Sequence, residues 1–113
     1  MTPNTLSWSD FEKVDIRTGT ILAVEAFPKA RKPAYKLTID FGELGIKRSS
    51  AQLTALYQPE TLIGKQVVAV VNFPTKQIAT FLSECLVLGA VADDGTVTLL
   101  QTERLTENGQ RIG

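Results

Sequence analysis

Histidine is missing from the 113 residues, and cysteine occurs once, at Cys85. Without imidazole, Ser/His/Asp and Cys/His arrangements are excluded within one chain. A single thiol excludes an internal disulfide, and with scattered carboxylates it offers no spacing that resembles a transition-metal site. No metal and no cofactor are expected. A lone cysteine inside an apolar run also fits a reducing compartment. A glycine-rich phosphate loop is absent as well, since Gly42-Glu43-Leu44-Gly45 lacks the remaining pattern and a following helix. Lysine or carboxylate chemistry stays open on composition, but no motif stands behind it, so the expectation is a protein that is not an enzyme.

Long hydrophobic runs are lacking too. Val67 to Val71 and Cys85 to Ala92 fall far short of the ~20 residues that a membrane span needs, so no membrane insertion is expected. The opening MTPNTLSWSDFEK has neither an early positive charge nor an apolar h-region, which predicts no secretion and a cytoplasmic location. Hydrophobic residues make up 43% of the chain, enough for a core. The prediction is one domain over residues 1–113, with an N-terminal arm at 1–13 and a C-terminal hairpin and tail at 93–113.

Net charge is zero, from twelve basic and twelve acidic residues, but the basic ones are unevenly spread. Lys29, Arg31, Lys32, Lys36, Lys47 and Arg48 face only Asp40 and Glu43 between positions 29 and 48, leaving that segment at +4. The field that attracts a polyanion is set by local charge, so a neutral total excludes nothing.

In the arm, Leu6, Trp8 and Phe11 are apolar among polar neighbours and need a surface to pack on, either the end of a barrel or another subunit. Ser9-Asp10-Phe11-Glu12 reads as a short helical turn with Ser9 or Asp10 as its N-cap. From Val14 to Phe27 the pattern has a period of two and much β-branched content, which predicts a long strand. The apolar set changes sides near Gly19, so a bulge or sharp bend is expected there. Phe27 to Ala34 is a proline-bracketed basic loop. Tyr35 to Phe41 alternates with Leu37, Ile39 and Phe41 inward, and Ile46 to Ser50 is its antiparallel partner. Lys36 and Thr38 then share an outer face with Lys47 and Ser49, while the side Arg48 takes depends on register.

Leu53, Leu56 and Tyr57 break the alternation with helical spacing, and Pro59 followed by Gly64 predicts a second short helical turn. Gln66 to Asn72 is a continuous apolar run, as in a strand covered on both faces. A polar loop through Asn72 and Gln77 follows, with a brief turn between Ile78 and Phe81. Cys85 to Ala92 reads as an unbroken strand, and Asp94-Gly95 as the hairpin turn into Val97 to Leu100. The fold class is therefore all-β: an OB-fold, a five-stranded Greek-key barrel with a short helix between strands three and four and terminal extensions. Ligands of that architecture lie on strands two and three, between the first and fourth connecting loops.

Several stretches resemble the tRNA-binding domain family, which is appended to methionyl- and bacterial phenylalanyl-tRNA synthetases and also occurs alone. They are Phe11-Glu12-Lys13-Val14-Asp15-Ile16-Arg17-Thr18-Gly19-Thr20-Ile21, the Ser49-Ser50 pair, Leu62-Ile63-Gly64-Lys65, the strand ending in Asn72, and Ser83-Glu84-Cys85-Leu86. Within that family, FPKARKPAYKLTIDFG, GIKRSSAQLT, VVAVVNFP and NGQRIG are similar to the CsaA type, small homodimeric proteins described as export-related chaperones. The family's more usual first loop, His-Pro followed by Ala-Asp-Lys-Leu, is replaced here by Phe27-Pro28 and a longer basic insert.

The predicted partner is tRNA. Lys29, Arg31, Lys32, Lys36, Lys47, Arg48 and Lys76 are candidates for phosphates, and Asn72, Ser83 and Glu84 for bases or sugars. Each has a plainer alternative: surface loops are usually polar, and Asn72 or Glu84 can simply bond backbone at a strand end. The resemblance implies a homodimer and a second reading, in which Phe27, Phe73 and Phe81 form a groove for unfolded or preprotein peptides that links the protein to the export machinery.

Overall fold

Strand β1 (Ile16–Ala26) is long enough at 11 residues to serve two neighbours. Its first half pairs with β4 (Gln66–Val70) and its second half with β2 (Tyr35–Asp40), both antiparallel. In the computed structural model, which describes residues 4–113, β3 (Ile46–Ala51) pairs with β2, and β7 (Leu86–Val87) with β4. The result is a five-stranded sheet of order β3-β2-β1-β4-β7. The open edge between β3 and β7 is drawn together by residues 83–84. The Glu84 amide donates to the Arg48 carbonyl at 2.7 Å, the Arg48 amide donates to the Glu84 carboxylate at 3.1 Å, and the Ser50 amide donates to Ser83 Oγ at 3.2 Å. The sheet is thus a nearly closed antiparallel barrel of OB type.

The alternation predicted for β2 holds: Leu37, Ile39 and Phe41 are fully buried, packed with Ile21, Leu53, Leu62 and Val67. Each such side chain contributes about 1.5–3 kcal/mol on burial. Every residue of β4 is buried, as its continuous apolar run predicted. Helix α2 (Pro59–Leu62) lies between β3 and β4, with proline in its first turn and Gly64 at φ +89° ending it.

Two local readings need correction, and a third is narrowed. Gly19 is not the bulge, because the register shift between β1 and β2 falls at Leu22, between Ile21 and Ala23. Glycine is required at 19 for proximity: a Cβ there would come within 2.7 Å of Ile39 and the Phe41 ring. Helix α1 (Trp8–Glu12) is capped by Ser7, whose Oγ accepts from the Asp10 amide at 3.1 Å, rather than by Ser9 or Asp10. Trp8 lies 83% exposed and so is not packed on the barrel. Of the arm, residues 1–3 lie outside the described residues.

The second group of differences concerns residues 76–100. Where a loop and a brief turn were predicted, β5 (Lys76–Ile78) and β6 (Phe81–Ser83) form a hairpin, with Ala79 at φ +54° in its tight turn. The apolar run 85–92 is divided at Leu88 into β7 and β8 (Gly89–Val91), and β8 pairs with β9 (Val97–Leu99) across the predicted Asp94-Gly95 turn. The polar tail docks on the part of β1 that β2 leaves open. Gly109 N donates to the Thr18 carbonyl, Thr18 N to Gln110 and Ile112 N to Ile16, at 2.7–3.1 Å.

Candidate nucleic-acid interface

Two segments far apart in sequence meet on the outer face of β1, β2 and β3. Phe27 leaves the end of β1 and Phe81 opens β6, and their rings pack edge to face with centroids 5.4 Å apart. With Ala34 they form a small second core, flanked by Ala30 and Ile78. This contact ties the basic loop 27–34 to the β5–β6 hairpin, so the first and fourth loops of the barrel converge as the OB reading requires.

Register decides which cations belong to this face. Lys36 lies opposite Ser50 and Thr38 opposite Arg48, so Arg48 and Ser50 share the outer row with Lys36 and Thr38. The expected row of Lys47 and Ser49 is corrected: Lys47 pairs with Ile39, and Ser49 pairs with Leu37 and is fully buried. Lys36 Nζ sits 5.0 Å from the Phe27 ring centre and 5.6 Å from that of Phe81, and the Arg48 guanidinium carbon is 4.7 Å from Phe81. Cation–π contacts of this kind orient the charged heads while leaving their outer sides to solvent.

Beside this platform runs a trough floored by β3. One end, about 370 Å³, is walled by Arg31, Lys32, Lys76 and Gln77, with Ser50 and Gln52 below. The other end, about 520 Å³, is apolar, walled by Phe73, Pro74, Ile78 and Leu86, and Lys76 and Ser83 reach it as well. The structure thus brings together Arg31, Lys32, Lys36, Arg48 and Lys76, with Ser83 at the edge. Lys29 is exposed on the turn of the same loop. Gln52 was not singled out from the sequence, and Ser50 only as part of the Ser49-Ser50 resemblance, because nothing local marks either as a site residue among other polar residues near a strand end.

The remaining candidates are placed differently. Asn72 Nδ2 donates to the Lys13 carbonyl at 2.6 Å and its Oδ1 accepts from the Asp15 amide at 3.0 Å, so its amide fixes the link between α1 and β1. Ser83 and Glu84 are held in the closure of the barrel. Of the three phenylalanines, Phe27 and Phe81 are buried against each other, and Phe73 is exposed in the trough. Beneath the trough, burial and then the charge of Glu84 push the Cys85 thiol up to about 11, and it stays protonated at neutral pH. Among the described residues no cluster of histidine, cysteine and carboxylates could hold a metal ion, and no helix is long and apolar enough to cross a membrane.

A small barrel whose first and fourth loops form one basic, partly apolar trough defines an OB-type ligand-binding domain. Residues 16–111 match the family described as "Putative tRNA binding domain", and the chain belongs to that family. It is 38% identical over 107 residues to the methionine–tRNA ligase of Methanococcoides burtonii, covering 95% of this chain but only 16% of that enzyme. It is also similar to two solved chaperones. The CsaA of Bacillus anthracis shares 53% identity and a TM-score of 0.93, over 96% of this chain and 99% of that one. The CsaA of Picrophilus torridus shares 51% identity and a TM-score of 0.89, over 96% and 100%.

Proposed function

We propose that this chain is a non-catalytic, CsaA-type tRNA-binding protein that takes structured RNA in the trough between loop 27–34 and the β5–β6 hairpin. One observation carries the reading: Arg31 and Lys32 from loop 27–34 and Lys76 from the start of β5 wall one cleft, beside the Lys36 and Arg48 platform. These five side chains, with Lys29 on the same loop, supply phosphate contacts, and Lys47, in the other row of β3, is left out of the set. Phe73 offers the exposed ring on which a base can stack, and Ser83 lines the approach to it, while Glu84 acts by holding the barrel closed behind. Asn72 acts by positioning, holding the start of β1 in place. The 16% of the methionine–tRNA ligase that this chain matches is consistent with a module that binds rather than reacts.

The same reading makes the protein a cytoplasmic homodimer. Trp8 and Leu6 on the arm, and Leu105 on the tail, are 83%, 65% and 83% exposed, more apolar surface than a lone barrel needs. A partner subunit would cover it and present two troughs to one RNA.

A second reading is favoured by the apolar end of the trough. Phe73, with Ile78 and Leu86, would hold an unfolded or preprotein peptide, with the Phe27 and Phe81 pair as the rigid wall behind, a chaperone role in line with the similar solved chaperones and one that would serve protein export. Salt separates the two, since phosphate contacts weaken steeply as ionic strength rises and an apolar peptide contact persists. Titration with total tRNA at two salt concentrations, beside an unfolded-client aggregation assay, is the test. Lys32→Ala with Lys36→Ala should flatten the salt slope by roughly one unit per lysine. Unchanged tRNA retention in that double variant would overturn the site.

A further inference from the structure

Arg48 carries a contact that the phosphate reading does not use. Its Nη2 lies 3.3 Å from Glu25 Oε1, in a pair whose side chains are 40% and 61% exposed. Among the described residues, Arg48 is the only member of the basic set from Lys29 to Arg48 held in an ion pair. Glu25 also lies directly opposite Lys36 in the β1–β2 register. One carboxylate therefore stands directly across from Lys36 and is reached by the Arg48 side chain from two strands away, on the face where a polyanion would lie. Nothing about the barrel requires an acid there: Glu25 is outside the core and caps no helix.

From this geometry we infer that Glu25 gates a two-cation phosphate site. It holds Arg48 in the free protein and is displaced when a phosphodiester reaches Lys36 and Arg48 together. The pair is suited to exchange. It is a single contact to one nitrogen, exposed to solvent, and such pairs are weak. One face of the guanidinium rests on Phe81, so its orientation outlasts the loss of Glu25, and its remaining donors keep the fork that matches phosphate oxygens. An isolated small anion must displace Glu25 with little else to gain. A polyanion that also reaches Arg31, Lys32 and Lys76 does so readily. Glu25 therefore selects for extended phosphate chains. The inference rests on the RNA reading only for the identity of the chain.

The test is a coupling cycle with two probes, total tRNA and inorganic tripolyphosphate, on the whole chain. Glu25→Gln should tighten binding about two- to fivefold at low salt and steepen the salt dependence by about 0.9. In an Arg48→Met background, where the stem still covers Phe81, the same change should have a clearly smaller effect, what remains coming from the charge beside Lys36. Glu60→Gln on α2 makes the same change in net charge away from the trough and should move binding less. The inference is overturned if Glu25→Gln changes nothing, if its gain is undiminished without Arg48, or if Glu60→Gln matches it. A coupled gain with tripolyphosphate but no tRNA binding by the unmodified protein would uphold the gate and sink the RNA reading. Binding of neither probe sinks both.

Discussion

Replacing Phe81 with alanine removes the ring that joins loop 27–34 to the β5–β6 hairpin and on which the heads of Lys36 and Arg48 rest. Phe81 is 3% exposed and meets the Phe27 ring edge-on at 5.4 Å. Loss of a buried phenylalanine costs about 3–5 kcal/mol. The second core holds only Phe27, Ala34 and Phe81 as buried members, so few contacts are lost and the low end, about 3 kcal/mol, applies. Within that sum the edge-to-face pair accounts for about 1 kcal/mol. The contacts of Lys36 and Arg48 add about 0.5 kcal/mol each, because both heads remain solvated. Phe81→Leu keeps most of the apolar volume and loses the ring, so it should cost only about 1–2 kcal/mol. Urea unfolding gives the totals. Amide exchange locates them: protection of Lys76–Ser83 and of loop 27–34 should fall together, and tRNA affinity should fall with it. A loss under about 1 kcal/mol, or faster exchange in one loop but not the other, would refute the idea that this pair fastens the loops to each other.

Gly19→Ala should destabilise the barrel by about 1–3 kcal/mol in urea unfolding, because its Cβ would press on Ile39 and Phe41, both fully buried. Thr18→Val should cost about 1–3 kcal/mol and raise amide exchange over 106–112. Thr18 Oγ1 donates to the Glu107 carbonyl at 2.8 Å and accepts from the Gln110 amide at 3.1 Å; valine strips the Gln110 amide of this partner, while the Glu107 carbonyl keeps only Thr106 Oγ1 at 3.1 Å. Because the folded-state pKa of Cys85 is raised from 9.0 to about 11, stability is fully present below about pH 9. It falls as pH climbs through that window, by at most about 3 kcal/mol. Cys85→Ala should lose this component, as the difference between the two pH-dependent urea midpoints will show.

Periodicity carried the central sheet into view. Leu37, Ile39 and Phe41 alternate because one face of β2 meets the core, and the unbroken run in β4 reflects burial on both sides. The hairpin of β5 and β6 was hidden because its turn is Ala79-Thr80, with none of the glycine or asparagine that normally signals positive φ. The division of 85–92 at Leu88 was equally silent, since one apolar run serves β7 in the barrel and β8 in a separate hairpin. The tail gave no sign of docking because its partners, Thr18 and Gln66, lie 40 or more residues away. For the site, the basic loop was plain from charge alone. The choice of Arg48 over Lys47 for the outer face was not, because it depends on register through the Gly42–Leu44 turn. Glu25 escaped notice for the same reason: its meaning comes from Lys36 and Arg48 across the sheet.

That the two loops serve one polyanion is tested most directly by the salt dependence of tRNA binding. It should be compared among the unmodified protein, Arg31→Ala with Lys32→Ala, Lys76→Ala, and the three changes combined. Each set should weaken binding, and the combination should flatten the plot of log affinity against log salt by about two to three units. A slope unmoved by the combination, or moved by one loop and indifferent to the other, would contradict a shared trough.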